Sequence, residues 1–273
     1  PEVTWQPVDR TICEDGNAFF RVNPGVTTVP TFAWEYDSGS GWNPVPADAW
    51  HSGLTNDTLF ITGAISTMNG WQYRAVVSGT CIPDATSNAA ILTIDEKPEI
   101  AIQPVDSAIC ENSNATFTVD AGGTTSPTYQ WQVDPNTGTF SNVSGGSYAG
   151  GTTPVLNVVG AISTMNGYRY RVVIGGTCTP STTSDTATLT VYQRPEVTAH
   201  PAATTICEGD NTFFRVNAGV TTNPAYRWEV DDGLGGGFIP IVPGPEYSGI
   251  NSDTLRIIGG TSAMNNFQYR AVI

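Results

Sequence analysis

At 273 residues with a formal net charge of −14 and a pI near 4.3, the chain would repel a phosphate backbone, and Lys97 is its only lysine, which excludes nucleic acid as a partner. Charged residues make up only 13% of it, beside 29 glycines, 19 prolines and abundant Thr, Ser and Asn, while an apolar content of 39% suffices for several small cores and excludes general disorder. No apolar run approaches the roughly 20 residues of a membrane-spanning helix, and no charged start with an apolar core marks a signal peptide. Pro1 falls inside a repeat pattern, so the chain reads as an interior piece of something longer, with its export signal and anchor outside it.

The first element, PEVTWQP from Pro1, returns as PEIAIQP from Pro98 and PEVTAHP from Pro195, and this fixed period frames every later element. Pro7, Pro104 and Pro201 cannot donate to a ladder, so the opening strand belongs on an edge, kinked between sheets. A tight turn follows, CEDGN, CENSN or CEGDN, bringing in Cys13, Cys110 and Cys207. The next strand puts Ala18, Phe20 and Val22 on one face, and the one after carries Trp34, Trp131 or Trp228 in FAWEY, YQWQV and YRWEV, the expected centre of each core. DTLFI, PVLNV and DTLRI supply a further strand, and MNGWQYRAVV, MNGYRYRVVI and MNNFQYRAVI a turn and the strand of Tyr73, Tyr170 and Tyr269. Cys81 and Cys178 follow in G-T-C, ahead of a closing strand. The third copy has extra residues around GGGFIPIVPGP, where a loop tolerates them, and stops before its own G-T-C and closing strand. No stretch sustains helical periodicity.

A period of about a hundred residues exceeds a helical solenoid unit and matches an independent sandwich. The expected fold is all-β: three tandem immunoglobulin-like β-sandwich modules stacked end to end, residues 1–97, 98–194 and 195–273, the last truncated and lacking its final strand. The junctions DEK-PE and YQR-PE leave almost no linker, which predicts limited bending. Tyr73, Tyr170 and Tyr269 resemble the tyrosine corner of immunoglobulin domains. The cysteine that would follow them reads Ala75, Val172 and Ala271, and its partner position reads Val22, Val119 and Val216, so apolar contacts are expected in place of the central disulfide.

Five cysteines, two in each complete copy, point to disulfides in an oxidising compartment. No close CxxC pair exists and His51 and His200 are the only histidines, which argues against zinc; no cofactor is expected. Two pairings are open. The turn of Cys13 and the loop of Cys81 lie at opposite ends of one sandwich, roughly 20 Å apart in strand length, whereas a disulfide holds its Cα atoms near 6 Å. Stacked modules bring Cys13 toward Cys178, so a bond across the junction is favoured. The conventional pairing, Cys13 with Cys81 and Cys110 with Cys178 inside each module, is the alternative.

The pattern C-E-x-x-N, F-x-V, Y-x-W-x-V, L-x-V/I, M-N-G-x-x-Y-R, G-T-C and S-x-x-A-x-L-T-V/I resembles the immunoglobulin-like repeats of very large cell-surface adhesins and gliding-associated proteins of the Bacteroidota. It covers nearly the whole chain. The resemblance implies export to the bacterial cell surface and a structural or adhesive role, in a stiff extracellular stalk or filament that associates with itself or with neighbouring repeats. Alternatives are a module binding surface glycans, an accessory region of a secreted enzyme, and donor-strand complementation of the third module through its unpaired edge. Asp-Ser/Thr-apolar triplets look like the O-glycan acceptor pattern of that phylum and mark Thr58, Ser107, Thr186 and Thr254; Asn56, Asn114 and Asn142 in N-x-Ser/Thr are discounted. Asp37, Asp134, Asp231 and Asp232 lie in turns without the spaced oxygen ligands of a calcium loop. Trp5 and Trp42 are candidates for a sugar-binding face, whereas Trp50, matched by Tyr148 and Tyr247, reads as packing. No nucleophile elbow or phosphate loop is present, so no enzyme is expected.

Overall fold

A computed structural model describes residues 1–273. The chain is all-β, with strands separated by turns and three single 3₁₀ turns at Ser66–Met68, Ser163–Met165 and Ser262–Met264. The first repeat forms β1 (Arg10–Cys13), β2 (Ala18–Arg21), β3 (Thr31–Asp37), β4 (Asn43–Pro44), β5 (His51–Ser52), β6 (Thr58–Ile61), β7 (Gln72–Ser78), β8 (Ala85–Thr86) and β9 (Ala90–Asp95). The second forms β10 (Ser107–Cys110), β11 (Ala115–Thr118), β12 (Thr128–Asp134), β13 (Ser141–Asn142), β14 (Tyr148–Ala149), β15 (Val155–Val158), β16 (Arg169–Gly175), β17 (Thr182–Thr183) and β18 (Ala187–Tyr192). The third forms β19 (Thr212–Arg215), β20 (Arg227–Asp231), β21 (Ile239–Pro240), β22 (Tyr247–Ser248), β23 (Thr254–Ile257) and β24 (Gln268–Val272). By proximity the chain divides into two compact units: Pro1–Val105 with Thr116–Asn157 and Arg169–Ala187, and Asp106–Ala115 with Val158–Tyr168 and Thr188–Ile273.

In the first unit, β1, β9, β7, β3 and β4 make one sheet in that order, with β8 on β7, and β2, β6 and β5 make the facing sheet. Alternation decides which face is buried: Phe20, Leu59, Ile61, Tyr73, Ala75, Val77 and Leu92 point inward and are almost wholly buried, with their neighbours outward. Each burial of a side chain the size of Phe20 contributes about 1.5–3 kcal/mol. This core is drawn entirely from residues between Val3 and Ile94, so the first repeat closes on itself. β1 runs parallel to β9, the arrangement an edge strand reaches after crossing between sheets, and Cys13 lies opposite Asp95. The same unit holds the antiparallel pair β12 and β16, with Trp131 opposite Val172, as Trp34 lies opposite Ala75.

In the second unit, β10 runs parallel to β18 as β1 does to β9. β19, β23 and β22 form one sheet of the third repeat, and β21, β20 and β24 the other. Thr204–Cys207, the counterpart of the opening strand, is not a strand here, because no closing strand lies beside it to pair with. For the same reason Phe214 and Tyr269 are only half-buried where Phe20 and Tyr73 are fully so.

Candidate functional site

The segment joining the first two repeats is held from both sides. After Cys13 the chain turns through Glu14 and Asp15; Glu14 N–H donates to Asp95 O at 2.9 Å, and Lys97 Nζ meets Asp15 Oδ2 at 2.7 Å. On the far side, Glu96 N–H donates to Thr125 Oγ1 at 2.8 Å and Thr125 N–H returns to Glu96 O at 3.3 Å. Glu99 N–H donates to Thr124 Oγ1 at 3.0 Å, and the Glu99 carboxylate accepts from Gly123 N–H at 2.8 Å. Gly122 adopts φ +53°, where an L side chain is strained and would also displace the Glu99 carboxylate, so glycine is favoured. Cys13 and Cys178 are joined by a disulfide across this segment, with Cα atoms 5.7 Å apart, and Cys178 is buried against Asp95 O at 3.3 Å.

The intra-repeat pairing of Cys13 with Cys81 and Cys110 with Cys178 is therefore not adopted; Cys81, Cys110 and Cys207 are exposed free thiols. The reason is strand direction. Cys13 ends β1 beside the end of β9, whereas Cys81 follows β7 at the opposite end, where Thr80 N–H donates to Thr28 O.

Much of the same construction recurs in the second unit. Gln193 N–H donates to Thr222 Oγ1 at 2.8 Å, Glu196 N–H to Thr221 Oγ1 at 3.0 Å and Val220 N–H to the Glu196 carboxylate at 3.0 Å, around Gly219 at φ +54°. Arg194 Nε donates to Glu111 O at 3.2 Å, in the place of the Lys97 and Asp15 pair. The Thr-Thr and Glu positions of this clasp are visible in the repeat alignment, yet nothing in their spacing announced a hydrogen-bonded clasp; the signal was their recurrence beside each PE junction.

Trp34, Trp131 and Trp228 are buried, and each indole N–H donates at 2.9 Å to a carbonyl in the turn that leads into β6, β15 or β23: Asn56 O, Thr153 O and Ser252 O. Tyr73 and Tyr170 are buried and stack on Phe20 and Phe117; Tyr269 stacks on Phe214. Sequence reasoning missed the Asp48, His51 and Tyr73 chain, in which buried His51 contacts Asp48 Oδ1 at 2.9 Å and Tyr73 Oη at 3.2 Å. Burial works to raise the Asp48 carboxyl, and the hydrogen bonds from His51 and Trp50 together outweigh it and hold it below its ordinary value. Burial pushes the Tyr73 hydroxyl well above its ordinary value, with Asp48 adding to the effect.

The turn aspartates cap backbone: Asp37 accepts from Gly39 and Gly41, Asp134 from Thr137 and Gly138, Asp231 from Gly233 and Asp232 from Leu234. No group of three or more His, Cys, Asp or Glu side chains stands ready to hold a metal. Trp42 lies under Arg74 at 4.0 Å, and Phe140 and Phe238 lie under Arg171 and Arg270 in the same way, so its ring is half-covered. Trp5 is exposed, as are Phe19 and Phe60, whose rings are 6.3 Å apart on the outer face of β2 and β6. Among the acceptor triplets, Thr186 is exposed and Ser107 half-buried in β10; Thr58 and Thr254 are half-buried at strand starts, their hydroxyls donating to Asp57 and Asp253.

No family model matches the chain. Endoglucanase C of Cellulomonas fimi is 36% identical over 145 residues, which span 53% of this chain and 12% of that protein. Among solved structures, an I-band fragment of titin with three immunoglobulin domains superposes over 99% of this chain and 93% of its own length, with a TM-score of 0.60 and 13% identity. The first eight immunoglobulin domains of the Down syndrome cell adhesion molecule match over 99% of this chain and 36% of theirs, with a TM-score of 0.57 and 13% identity. At these identities the likeness is one of fold: the chain is an array of tandem immunoglobulin-like β-sandwiches.

Proposed function

We propose that the chain is the structural or adhesive repeat region of a secreted bacterial cell-surface protein of the Bacteroidota kind, its modules at residues 1–97, 98–194 and 195–273 clamped in series into a stiff stalk or filament. The observation that carries this reading is the Cys13–Cys178 disulfide, which ties one repeat to the next instead of closing a single sandwich. The core of the first sandwich is drawn from that repeat alone, so a bond placed between repeats limits bending where almost no linker exists. A disulfide also fits an extracellular location, and no helix is long and apolar enough to cross a membrane. Non-catalytic service follows from this reading, as do the glycans on Thr58, Ser107, Thr186 and Thr254. The test is small-angle scattering of the oxidised chain and of Cys178→Ser. The variant should sample a wider range of dimensions with its secondary structure unchanged; identical profiles overturn the clamp.

A second reading is an accessory region that binds glycans. It is favoured by the endoglucanase relative and by the exposed Trp5, Phe19 and Phe60, with Arg10 over Phe19 at 4.4 Å. Retention on insoluble glucans, lost in Phe60→Ala, would support it. A third is donor-strand assembly at the third repeat, favoured by an open groove of about 730 Å³ lined by Phe214, Ile257, Met264 and Tyr269. A synthetic peptide of residues 88–97 that raised the melting temperature of that repeat would support this one.

A further inference from the structure

The clasp has a donor half and a receiving half, and the first repeat carries a receiving half at its own start. In the second repeat that half consists of Glu99, Thr124, Thr125 and Cys178; in the third, of Glu196, Thr221 and Thr222. The first repeat has Glu2, Thr27, Thr28 and Cys81 at the matching positions. They are already arranged in the same way. Glu2 N–H donates to Thr27 Oγ1 at 2.9 Å, the Glu2 carboxylate accepts from Val26 N–H at 2.7 Å, and Gly25 has φ +56°. Thr80 N–H donates to Thr28 O as Thr177 N–H does to Thr125 O. What differs is exposure: Cys81 and Thr28 are exposed, whereas Cys178 is buried and Thr125 half-buried beneath the segment they hold. With Pro1, Glu2, Val26, Thr27 and Thr80 they line a concave surface of about 310 Å³.

We propose that this surface is a docking site for another repeat of the same type, and that Cys81 closes on that repeat's Cys-Glu turn as Cys178 closes on Cys13. The proposal rests on the series-clamp reading and extends it. The occupant follows from the chain itself: the same receiving residues are filled twice, by Glu96 and by Gln193, each time by the end of a closing strand of the preceding repeat. In the first case the cysteine beside them is bonded to that repeat's turn. Closure is a two-electron oxidation, in which two thiols lose two protons and two electrons to a disulfide oxidant such as oxidised glutathione, itself reduced to two thiols.

The test adds one copy of residues 1–97, carrying Cys81→Ser, ahead of Pro1 in the full chain, so that Lys97 meets a proline as it meets Pro98. After equilibration with glutathione, non-reducing peptide mapping should find both Cys178 and Cys81 linked to peptides containing Cys13, with Cys110 and Cys207 alkylated. Thr28→Ala in this protein should lower the Cys81 closure constant by about two- to tenfold, the worth of one hydrogen bond, without changing closure at Cys178. Cys81 alkylated while Cys178 is linked overturns this inference alone; both alkylated overturns the clamp reading beneath it. An unchanged constant in Thr28→Ala removes Thr28 from the site.

Discussion

His51 shows how a polar residue is tolerated in a sandwich core. Its ring joins the half-buried Asp48 to the hydroxyl of Tyr73, so that two polar groups removed from water, His51 and Tyr73, are satisfied. His51→Ala leaves the tyrosine hydroxyl and Asp48 without that partner, and should cost about 1–3 kcal/mol in urea unfolding. Strand register puts Tyr148 and Tyr247 in the place of His51, not of Trp50 as the spacing suggested, and Trp50 is exposed rather than packed; Tyr247 Oη meets Tyr269 Oη at 3.3 Å, so the histidine solution belongs to the first repeat. Tyr73 also sets an alkaline limit. Its folded hydroxyl ionises above the ordinary 10.0, so the unfolded state loses its proton first and stability should fall as pH rises past that value. A melting temperature indifferent to pH between 9 and 11, on the scale of the free tyrosine value, would contradict this.

Paired strands carry the next scale of argument. Glu229 on β20 is buried between Arg270 and Arg227; the Arg270 hydrogen bond first, then that of Arg227, hold its carboxyl below the ordinary 4.5 against the effect of burial. Because the unfolded carboxyl takes up its proton at higher pH than the folded one, stability is present above 4.5 and declines as pH falls through and below it. Glu229→Gln should flatten that acid limb in a pH series of melting temperatures. At the junction, Gly122 holds a left-handed turn against Glu99, and Gly122→Ala should cost about 1–2 kcal/mol, read by chemical denaturation. Gly25 and Gly219 occupy the same place, which is why glycine precedes each of these threonine pairs. The succession of strands, the inward Phe20 and the tryptophan strand could be read from alternation, because a period of two assigns each side chain its face. The loss of a strand at Thr204–Cys207 could not. Its residues resemble those of β1, and only the absence of a parallel neighbour decides that they stay irregular.

At the scale of the whole molecule the disulfide is the longest-range covalent tie, joining residues 165 apart. Its removal in Cys178→Ser should lower stability by about 2–5 kcal/mol, with calorimetry resolving the first repeat's transition from that of the strands around Trp131. A single unchanged transition would show that the junction hydrogen bonds suffice without it. Amino-acid order alone determined the repeat, the all-β class and the tryptophan positions, because these follow from periodicity and turn chemistry, which are local. For the cysteines it offered two pairings and favoured the bond across the junction from the predicted strand ends alone, since spacing along the chain is the same evidence for a bond within a repeat or between repeats. Tertiary structure decided it: strand direction carries Cys81 to one end of its sandwich and Cys13 to the other, where Cys178 arrives. The clasp around Glu96 and the His51 chain were likewise beyond the sequence, because each depends on side chains far apart in order meeting at hydrogen-bond distance.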